Sequence, residues 1–373
     1  MKNNFIKLVV LFSSLSVTFF IADFILKSLY LPKKQSKVHL ISKEGIFSDN
    51  ENNIIKFASS KEYRHIGIYG GGIEFDYKFN TDENGFRKTI SCNIEDRNIK
   101  KDNTYDVVIT GDSLTQGTGS NFSWTESLEQ KLCNKGFNSI NTAIPGYSLE
   151  GMSNSLKYAK KEFNSKIAIL AIMPKGISNE HYKVVKEPKR SYIISNLSKK
   201  RFVFWHIDNY LSNDEILSIA DKKVKSGLLP MLLKVQDSLK FKTMKVKSKV
   251  DRYFKKVDSR NYSTNLNIEN SIKHIYTSIK EYGKDNFLLI ILPTNDLYKT
   301  DVDEFYTSKI NNDLEYFLNS IQEEILIADL RRCQLSSSDF YELDGHPKEK
   351  GYRKISSCAS KSKILNKFIE NLK

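Results

Sequence analysis

The chain has 373 residues, of which 40% are hydrophobic and 12% aromatic, so it can bury a large core and is not a disordered protein. A formal net charge of +14 suits an anionic partner. The basic residues are spread along the chain without zinc-finger spacing or an RNA-binding aromatic motif, so we expect no nucleic-acid binding.

The N-terminus carries an apolar segment. Residues 8–26, LVVLFSSLSVTFFIADFIL, contain one charged side chain, Asp23. At about 1.5 Å per residue this run nearly crosses a hydrocarbon core of about 30 Å. It is longer than a signal-peptide core, and no small-x-small cleavage site follows it, so we predict an uncleaved membrane anchor over residues 1–30. A cleaved leader and a buried core helix are the alternatives.

Two segments of different composition follow the anchor. Residues 31–65 are polar and basic, and we predict a stalk with little fixed structure. A β-rich segment is predicted over residues 66–104, because residues 66–88 alternate apolar and polar side chains around a glycine run. Asp82-Glu-Asn-Gly85 is a typical turn sequence, so this segment should contain a hairpin or a small edge sheet.

From residue 105 onward, short apolar runs alternate with amphipathic helical stretches. Ser123-Trp-Thr-Glu126 predicts a helix start by a capping box, and the last helix should run from about Lys348 to the C-terminus. The pattern predicts a three-layer, doubly wound (flavodoxin-like) α/β domain with about five parallel strands. The five runs are YDVVIT (105–110), NSINTAI (138–144), IAILAIM (167–173), FLLIIL (287–292) and ILIADL (325–330).

The interval 183–266 interrupts this alternation. It is rich in lysine and carries one apolar cluster around Pro230, at residues 228–233. We predict a mostly helical insertion between the third and fourth strands, with the cluster packed on its own domain. A lid over the active site and a membrane-surface contact are the alternatives for the cluster.

Ser113 follows the first apolar run in a Gly-Asp-Ser sequence, where a buried strand ends in a tight loop. A serine hydroxyl becomes a nucleophile only with a base and with fixed donors for the oxyanion. Asp344 and His346, two residues apart in the loop YELDGHPKEKGY (341–352), offer a base and its orienting carboxylate. The carboxyl ends of parallel strands meet at one sheet edge, which can bring this loop to Ser113.

The spacing of the four cysteines bears on two questions, whether the chain has a structural zinc site and whether it has disulfides. No Cys-x-x-Cys or Cys-x-x-His spacing occurs among them, so we predict no structural zinc site. Their even number permits disulfides in an exported protein, and Cys333 with Cys358 is the favoured pair because both flank the 341–352 loop. Plain buried thiols are an equally favoured interpretation of all four cysteines.

Gly111-Asp112-Ser113-Leu114, taken with Asp344-Gly-His346-Pro347, resembles the SGNH/GDSL hydrolase superfamily over roughly residues 75–370. The resemblance implies that Ser113 is the nucleophile and that His346 and Asp344 complete a catalytic triad. The Asp-x-His spacing is similar to the form found in polysaccharide O-acetylation proteins and in many membrane-anchored members. The segment NTDENGFRK (80–88) is also similar to those members. Arg87 within it is predicted to cap a turn, and a position near the active site is the alternative.

Other family blocks suggest the oxyanion hole. NTAIPGYS (141–148) matches the second block, which implies that the backbone N–H of Gly146 is a donor alongside that of Ser113. The third block is usually Gly-x-Asn-Asp, whereas this chain has Gly176-Ile-Ser-Asn179-Glu180, so Asn179 is the candidate third donor in an irregular block. Asp112 is predicted to organise its loop by hydrogen bonding.

The remaining histidines have no partner at metal-ligand spacing, and we predict that each is solvated or locally bonded. His181 follows Asn179 closely and is also a candidate to line the pocket. The five are His39, His65, His181, His206 and His274.

Together these features predict a membrane-anchored esterase or acyl transferase that acts on ester-linked acyl groups, O-acetyl above all, of a glycan or similar cell-envelope substrate. The mechanism needs no metal or diffusible cofactor. The alternatives are a non-catalytic glycan-binding or assembly subunit on the same scaffold and a lipase or phospholipase. The sequence does not predict an oligomeric state.

Two observations give opposite predictions for the side of the membrane on which the main domain lies. Two lysines precede the apolar run and four follow it within residues 27–37, so the positive-inside rule alone favours a cytoplasmic body. A long domain translocates despite nearby charge, and the family resemblance implies an exported enzyme. We therefore expect an extracytoplasmic or periplasmic catalytic domain.

Overall fold

The protein is described by a computed structural model. The described residues are 10–22, 37–49, 51, 53–90, 104–178, 182–195, 201–223, 262–297, 304–321 and 325–372. The strands in chain order are β1 (Lys37–Ser42), β2 (Ile46–Asp49), β3 (Ile54–Phe57), β4 (Glu62–Tyr69), β5 (Gly72–Thr81), β6 (Arg87–Lys88), β7 (Val107–Gly111), β8 (Ser139–Asn141), β9 (Ile167–Ile172), β10 (Tyr182–Glu187), β11 (Arg190–Ser195), β12 (Arg201–Ile207), β13 (Phe287–Ile291) and β14 (Leu326–Asp329). The helices are residues 10–22, Ser113–Gln116, Thr125–Asn134, Leu149–Phe163, Asn213–Lys223, Tyr262–Tyr282, Glu304–Ile321, Glu349–Lys361 and Lys363–Asn371.

Five strands form a wholly parallel sheet in the order β14-β13-β9-β7-β8. Numbered along the chain, the order is 2-1-3-4-5, which is the doubly wound flavodoxin-like arrangement. β7, β9 and β13 are buried along their whole length, which explains why each is a continuous apolar run. The predicted parallel α/β sheet is therefore confirmed, with a strand at each of the five predicted runs.

Helices cover this sheet in two layers. Alternate side chains of β7, Val107 and Ile109, belong to one apolar core with Leu128 and Ile355, from the helices Thr125–Asn134 and Glu349–Lys361. The helices Leu149–Phe163 and Tyr262–Tyr282 contact each other, and the former also contacts β7. The carboxyl ends of the strands are left free to carry loops.

A seven-stranded mixed sheet has the order β10-β11-β12-β1-β4-β5-β6. Its β1 pairs in parallel with β12, although the two strands lie more than 160 residues apart in the chain. Two predictions are wrong here. Within the predicted stalk, residues 37–65 contain strands β1 to β3 and the first half of β4, and the first part of the predicted helical insertion forms β10 to β12.

The two errors have different physical causes. The strands β1 and β12 (RFVFWHI) pair with each other through residues 165 positions apart, a partnership that local sequence does not show. The strands β10 and β11 pair locally, with Glu187 opposite Arg190, but basic side chains among their β-branched and aromatic ones obscured the strand pattern. The helix Asn213–Lys223 does follow these strands. The apolar cluster at 228–233 lies outside the described residues.

The hairpin predicted for residues 66–88 is confirmed by β4, β5 and β6. At its second turn Gly85 has a φ of +83°. The Asp82 carboxylate accepts hydrogen bonds from the backbone N–H groups of Asn84 and Phe86, both at 2.9 Å. A Cβ on Gly85 would lie 2.3 Å from the carbonyl oxygen of Phe57, so this turn requires glycine.

The predicted pairing of Cys333 with Cys358 is also confirmed. The two residues form a disulfide with a Cα–Cα distance of 5.8 Å. It joins the segment after β14 to the helix Glu349–Lys361. Cys133 is disulfide-bonded as well.

The chain divides into two compact units. The larger unit comprises His39–Gly67, Glu74–Tyr210 and Asn261–Lys373 and contains the parallel sheet. The smaller comprises Met1–Val38, Ile68–Ile73 and Leu211–Arg260, including the helix at residues 10–22, whose apolar side chains are exposed. Within the described part of the chain, no helix has both the length and the apolar character to cross a bilayer. The remainder of the predicted anchor, 1–9 and 23–30, lies outside that part.

Candidate active site

Ser113 lies at the turn between β7 and a four-residue helix, Ser113–Gln116. The Asp112 carboxylate caps this helix by accepting the Leu114 N–H at 3.0 Å, as predicted for a loop-organising residue. A Cβ on Gly111 would lie 2.2 Å from the Thr115 hydroxyl oxygen, so glycine is required where the strand turns. Ser113 is 8% exposed.

The structure brings the three predicted triad residues together. The Ser113 Oγ lies 2.8 Å from the His346 Nε2. The other ring nitrogen of His346, Nδ1, is hydrogen-bonded to Oδ2 of Asp344, and this oxygen also accepts the His346 backbone N–H at 3.2 Å. The Asp344 side chain is only 4% exposed. A carboxylate only accepts hydrogen bonds, so Nδ1 carries a proton, and in the tautomer that acts as a base the Nε2 lone pair faces the serine hydroxyl.

The loop that carries Asp344 and His346 is closed by its own backbone. The Tyr341 N–H donates to the His346 carbonyl at 2.8 Å, and the Gly345 N–H donates to the Tyr341 carbonyl at 3.1 Å. Gly345 has a φ of +85°, which favours glycine between the two functional residues. The Tyr341 hydroxyl donates to the Gly119 carbonyl at 2.8 Å and so ties this loop to the segment that follows Ser113.

Two predicted oxyanion donors lie in loops that meet at the end of β7. The Ile144 N–H donates to the Gly111 carbonyl at 3.3 Å, which joins the loop after β8 to the strand that ends at Ser113. Among the described residues, the backbone N–H groups of Ser113 and Gly146 have no acceptor. Asn179 and His181 lie outside the described residues, so a third donor at Asn179 remains a prediction.

Arg87 has a larger role than its sequence indicates. Its side chain is buried, and its guanidinium donates to the carbonyl oxygens of Gln116 and Gly117 through Nη1 at 3.0 and 2.9 Å, and of Ser120 and Asn121 through Nη2 at 3.1 and 2.7 Å. Burial lowers the pKa of Arg87. The turn that this arginine caps is therefore the one that follows Ser113.

A buried polar chain lies behind the same segment. His39 Nδ1 is 3.2 Å from His65 Nε2, His65 Nδ1 is 3.1 Å from the Tyr77 hydroxyl, and that hydroxyl donates to the Gln116 side-chain oxygen at 3.4 Å. Burial lowers the pKa of His65 well below its usual value, and the neighbouring His39 lowers it further. Sequence inspection missed this pair because the two histidines lie 26 residues apart, on the separate strands β1 and β4.

Similarity to known proteins is confined to solved structures. No protein-family model matches the chain, and no curated protein matches it. A family 3 carbohydrate esterase of Clostridium thermocellum is 14% identical, with a TM-score of 0.36 and coverage of 72% of this chain and 98% of that one.

Two further solved structures give similar values. A lipase/acylhydrolase from Enterococcus faecalis is 13% identical, with a TM-score of 0.35 and coverage of 72% and 96%. A GDSL-like lipase from Bacteroides thetaiotaomicron is 8% identical, with a TM-score of 0.33 and coverage of 71% and 87%. These TM-scores are too low to carry an inference, and we reason from the side-chain geometry.

Proposed function

We propose that this protein is a serine esterase or acyl transferase whose nucleophile is Ser113. The observation that carries the proposal is the continuous hydrogen-bonded path from Ser113 through His346 to Asp344. Many residues can surround a serine, but an imidazole bonded to both the serine and a buried carboxylate meets the specific requirement for general-base activation.

In this mechanism Ser113 Oγ attacks the ester carbonyl carbon while His346 Nε2 takes the hydroxyl proton. The backbone N–H groups of Ser113 and Gly146 stabilise the oxyanion of the tetrahedral intermediate. His346 then protonates the departing alcohol, which leaves an acyl-serine and a neutral imidazole. Water or a sugar hydroxyl, deprotonated by the same nitrogen, releases the acyl group.

For the substrate we propose an O-acyl group, O-acetyl above all, on a cell-envelope glycan. The Asp344-Gly-His346 spacing supports this class by its resemblance to polysaccharide O-acetylation proteins. The net charge of +14 would attract an acidic polysaccharide. Two further observations support an exported, membrane-anchored protein: the disulfide between Cys333 and Cys358, and the exposed apolar helix at residues 10–22.

The test is covalent labelling of the full-length protein by a fluorophosphonate, together with hydrolysis of a short acyl ester. The wild type should label at Ser113, whereas Ser113→Ala and His346→Ala should not. Removing either residue should lower kcat by about 10³-fold or more. A Ser113→Ala protein that hydrolyses the ester at the wild-type rate would contradict the assignment.

The same assays separate the alternatives. A folded wild type that does not label but is retained on an acidic polysaccharide would point to a glycan-binding subunit. A clear preference for long over short acyl esters would point to a lipase.

A further inference from the structure

Glu74 connects the mixed sheet to the loop that carries Asp344 and His346. It lies on β5 and is half-buried. Its Oε1 accepts the Leu343 N–H at 2.7 Å, and its Oε2 accepts the Asp344 N–H at 2.8 Å. One carboxylate thus binds two consecutive peptide groups about 270 residues further along the chain.

These two hydrogen bonds hold the tip of the loop, Leu343 and Asp344, which the backbone hydrogen bonds within the loop do not hold. The internal bonds from Tyr341 and Gly345 close the base of the loop, whereas the N–H groups of Leu343 and Asp344 at its tip donate to Glu74. Hydrogen bonds to a carboxylate are roughly twice as strong as neutral ones. The peptide group before Asp344 is therefore fixed in orientation, and with it the direction in which the Asp344 side chain leaves the backbone.

We propose that Glu74 is a positioning residue for the Asp344–His346 pair, and this proposal rests on the function proposed above. By holding the Asp344 backbone, Glu74 keeps the carboxylate against His346 Nδ1 and so keeps Nε2 directed at Ser113. Burial, followed by the charges of Asp344 and Glu74, raises the pKa of Tyr341, which agrees with the two carboxylates lying close together.

The first test compares Glu74→Ala with Glu74→Gln in the full-length protein. Alanine removes both acceptors, and we expect kcat for a short acyl ester to fall about 10²-fold with little change in KM, because the displaced group aligns the base rather than binding substrate. Glutamine keeps one acceptor and should restore part of the rate, to within about tenfold of wild type. Labelling of Ser113 by the fluorophosphonate should slow in the same order.

Asp76 supplies the matched control. It lies on the same strand two residues after Glu74, so its side chain points to the same face, and its Oδ1 accepts from the Arg64 Nε at 2.8 Å. Asp76→Asn should weaken that ion pair and lower the melting temperature without changing kcat. If both Glu74 variants keep kcat within about twofold of wild type, or lose no more than Asp76→Asn, the positioning role is wrong.

A second readout is independent of ester hydrolysis. Proton NMR should show a downfield resonance for the hydrogen-bonded Nδ1 proton of His346, assigned by its loss in Asp344→Ala. Glu74→Ala should lose or broaden this resonance, and Asp76→Asn should keep it. If Glu74→Ala does not fold, Glu74→Gln decides by the same two readouts. A wild type with neither labelling nor hydrolysis overturns the proposed function, and the NMR comparison then decides the positioning role.

Discussion

The surroundings of Ser113 are set by atoms that lie within hydrogen-bonding distance of it. Its Oγ lies 2.8 Å from His346 Nε2, and the imidazole is held from its other side by a nearly buried carboxylate. Asp112, the residue before Ser113, is buried like the Asp344 side chain but makes different contacts. One of its oxygens caps the helix that begins at Ser113, and the other has no hydrogen-bond partner among the described residues.

Burial of Asp112 raises its pKa from 3.8 to about 6, which makes the stability of the fold depend on pH. The folded protein holds this proton more tightly than the unfolded chain, so the contribution of Asp112 to stability is fully present below pH 4 and is lost as the pH rises through 6. The loss is about 3 kcal/mol. The asparagine side chain carries no charge, so Asp112→Asn should not show this loss. Its free energy of unfolding should therefore rise relative to that of wild type between about pH 4 and 7.

Urea unfolding at about pH 4 and about pH 7 measures the difference in unfolding free energy between Asp112→Asn and wild type. Asp106→Asn is the control, because Asp106 is exposed and its carboxylate accepts the Asn138 N–H. An equal stability difference between Asp112→Asn and wild type at both pH values would contradict the prediction.

At the scale of elements, the nucleophile segment is held by a strand outside its own sheet. The guanidinium of Arg87, on β6, donates hydrogen bonds to four backbone carbonyl oxygens within residues 116–121. Arginine suits this position because its planar guanidinium presents several donors in a fixed geometry.

Replacing Arg87 by alanine should therefore destabilise the protein and slow the chemistry together. We expect a loss of about 2 to 4 kcal/mol in unfolding free energy, because four buried carbonyls lose a charged donor. Arg87→Lys keeps the charge but reaches fewer carbonyls, so it should recover only part of the loss. Urea unfolding and the rate of fluorophosphonate labelling measure the two effects.

Lys88→Ala is the control for Arg87, because Lys88 is the next residue on the same strand and is exposed. It should leave both quantities near their wild-type values. Wild-type labelling in a folded Arg87→Ala protein would show that Arg87 serves stability alone.

At the scale of the whole molecule, the disulfide encloses the loop that carries Asp344 and His346. Cys333 and Cys358 are 25 residues apart, and Asp344 and His346 lie between them. Closing a loop of this length restricts the unfolded chain and stabilises the fold by about 3 kcal/mol. The double variant Cys333→Ala with Cys358→Ala should lose about that amount in urea unfolding. A double variant as stable as wild type would contradict this.

Much of the candidate site was predictable from the sequence, because its residues belong to local patterns. Ser113 follows an apolar run whose length and β-branched residues predict a buried strand, and Asp344, Gly345 and His346 form a turn-rich loop at the other end of the alternating pattern. The resemblance to SGNH/GDSL hydrolases added Gly146. For Arg87, the sequence suggested at most a position near the active site, and for Glu74 it suggested no role.

Local sequence patterns were enough to predict the five parallel strands, the Gly85 turn and the residues of the candidate triad, whereas they left buried thiols as an equal alternative to the Cys333–Cys358 disulfide. Each depends on the order of a few neighbouring side chains or on a family motif. Three features depend on long-range contacts: the pairing of β1 with β12, which joins the predicted hairpin to further strands in one mixed sheet, the buried His39–His65 pair, and the contacts of Arg87 and Glu74. These join segments 26 to about 270 residues apart, and the free energy that stabilises them comes from pairing and burial that exist only once the chain has folded.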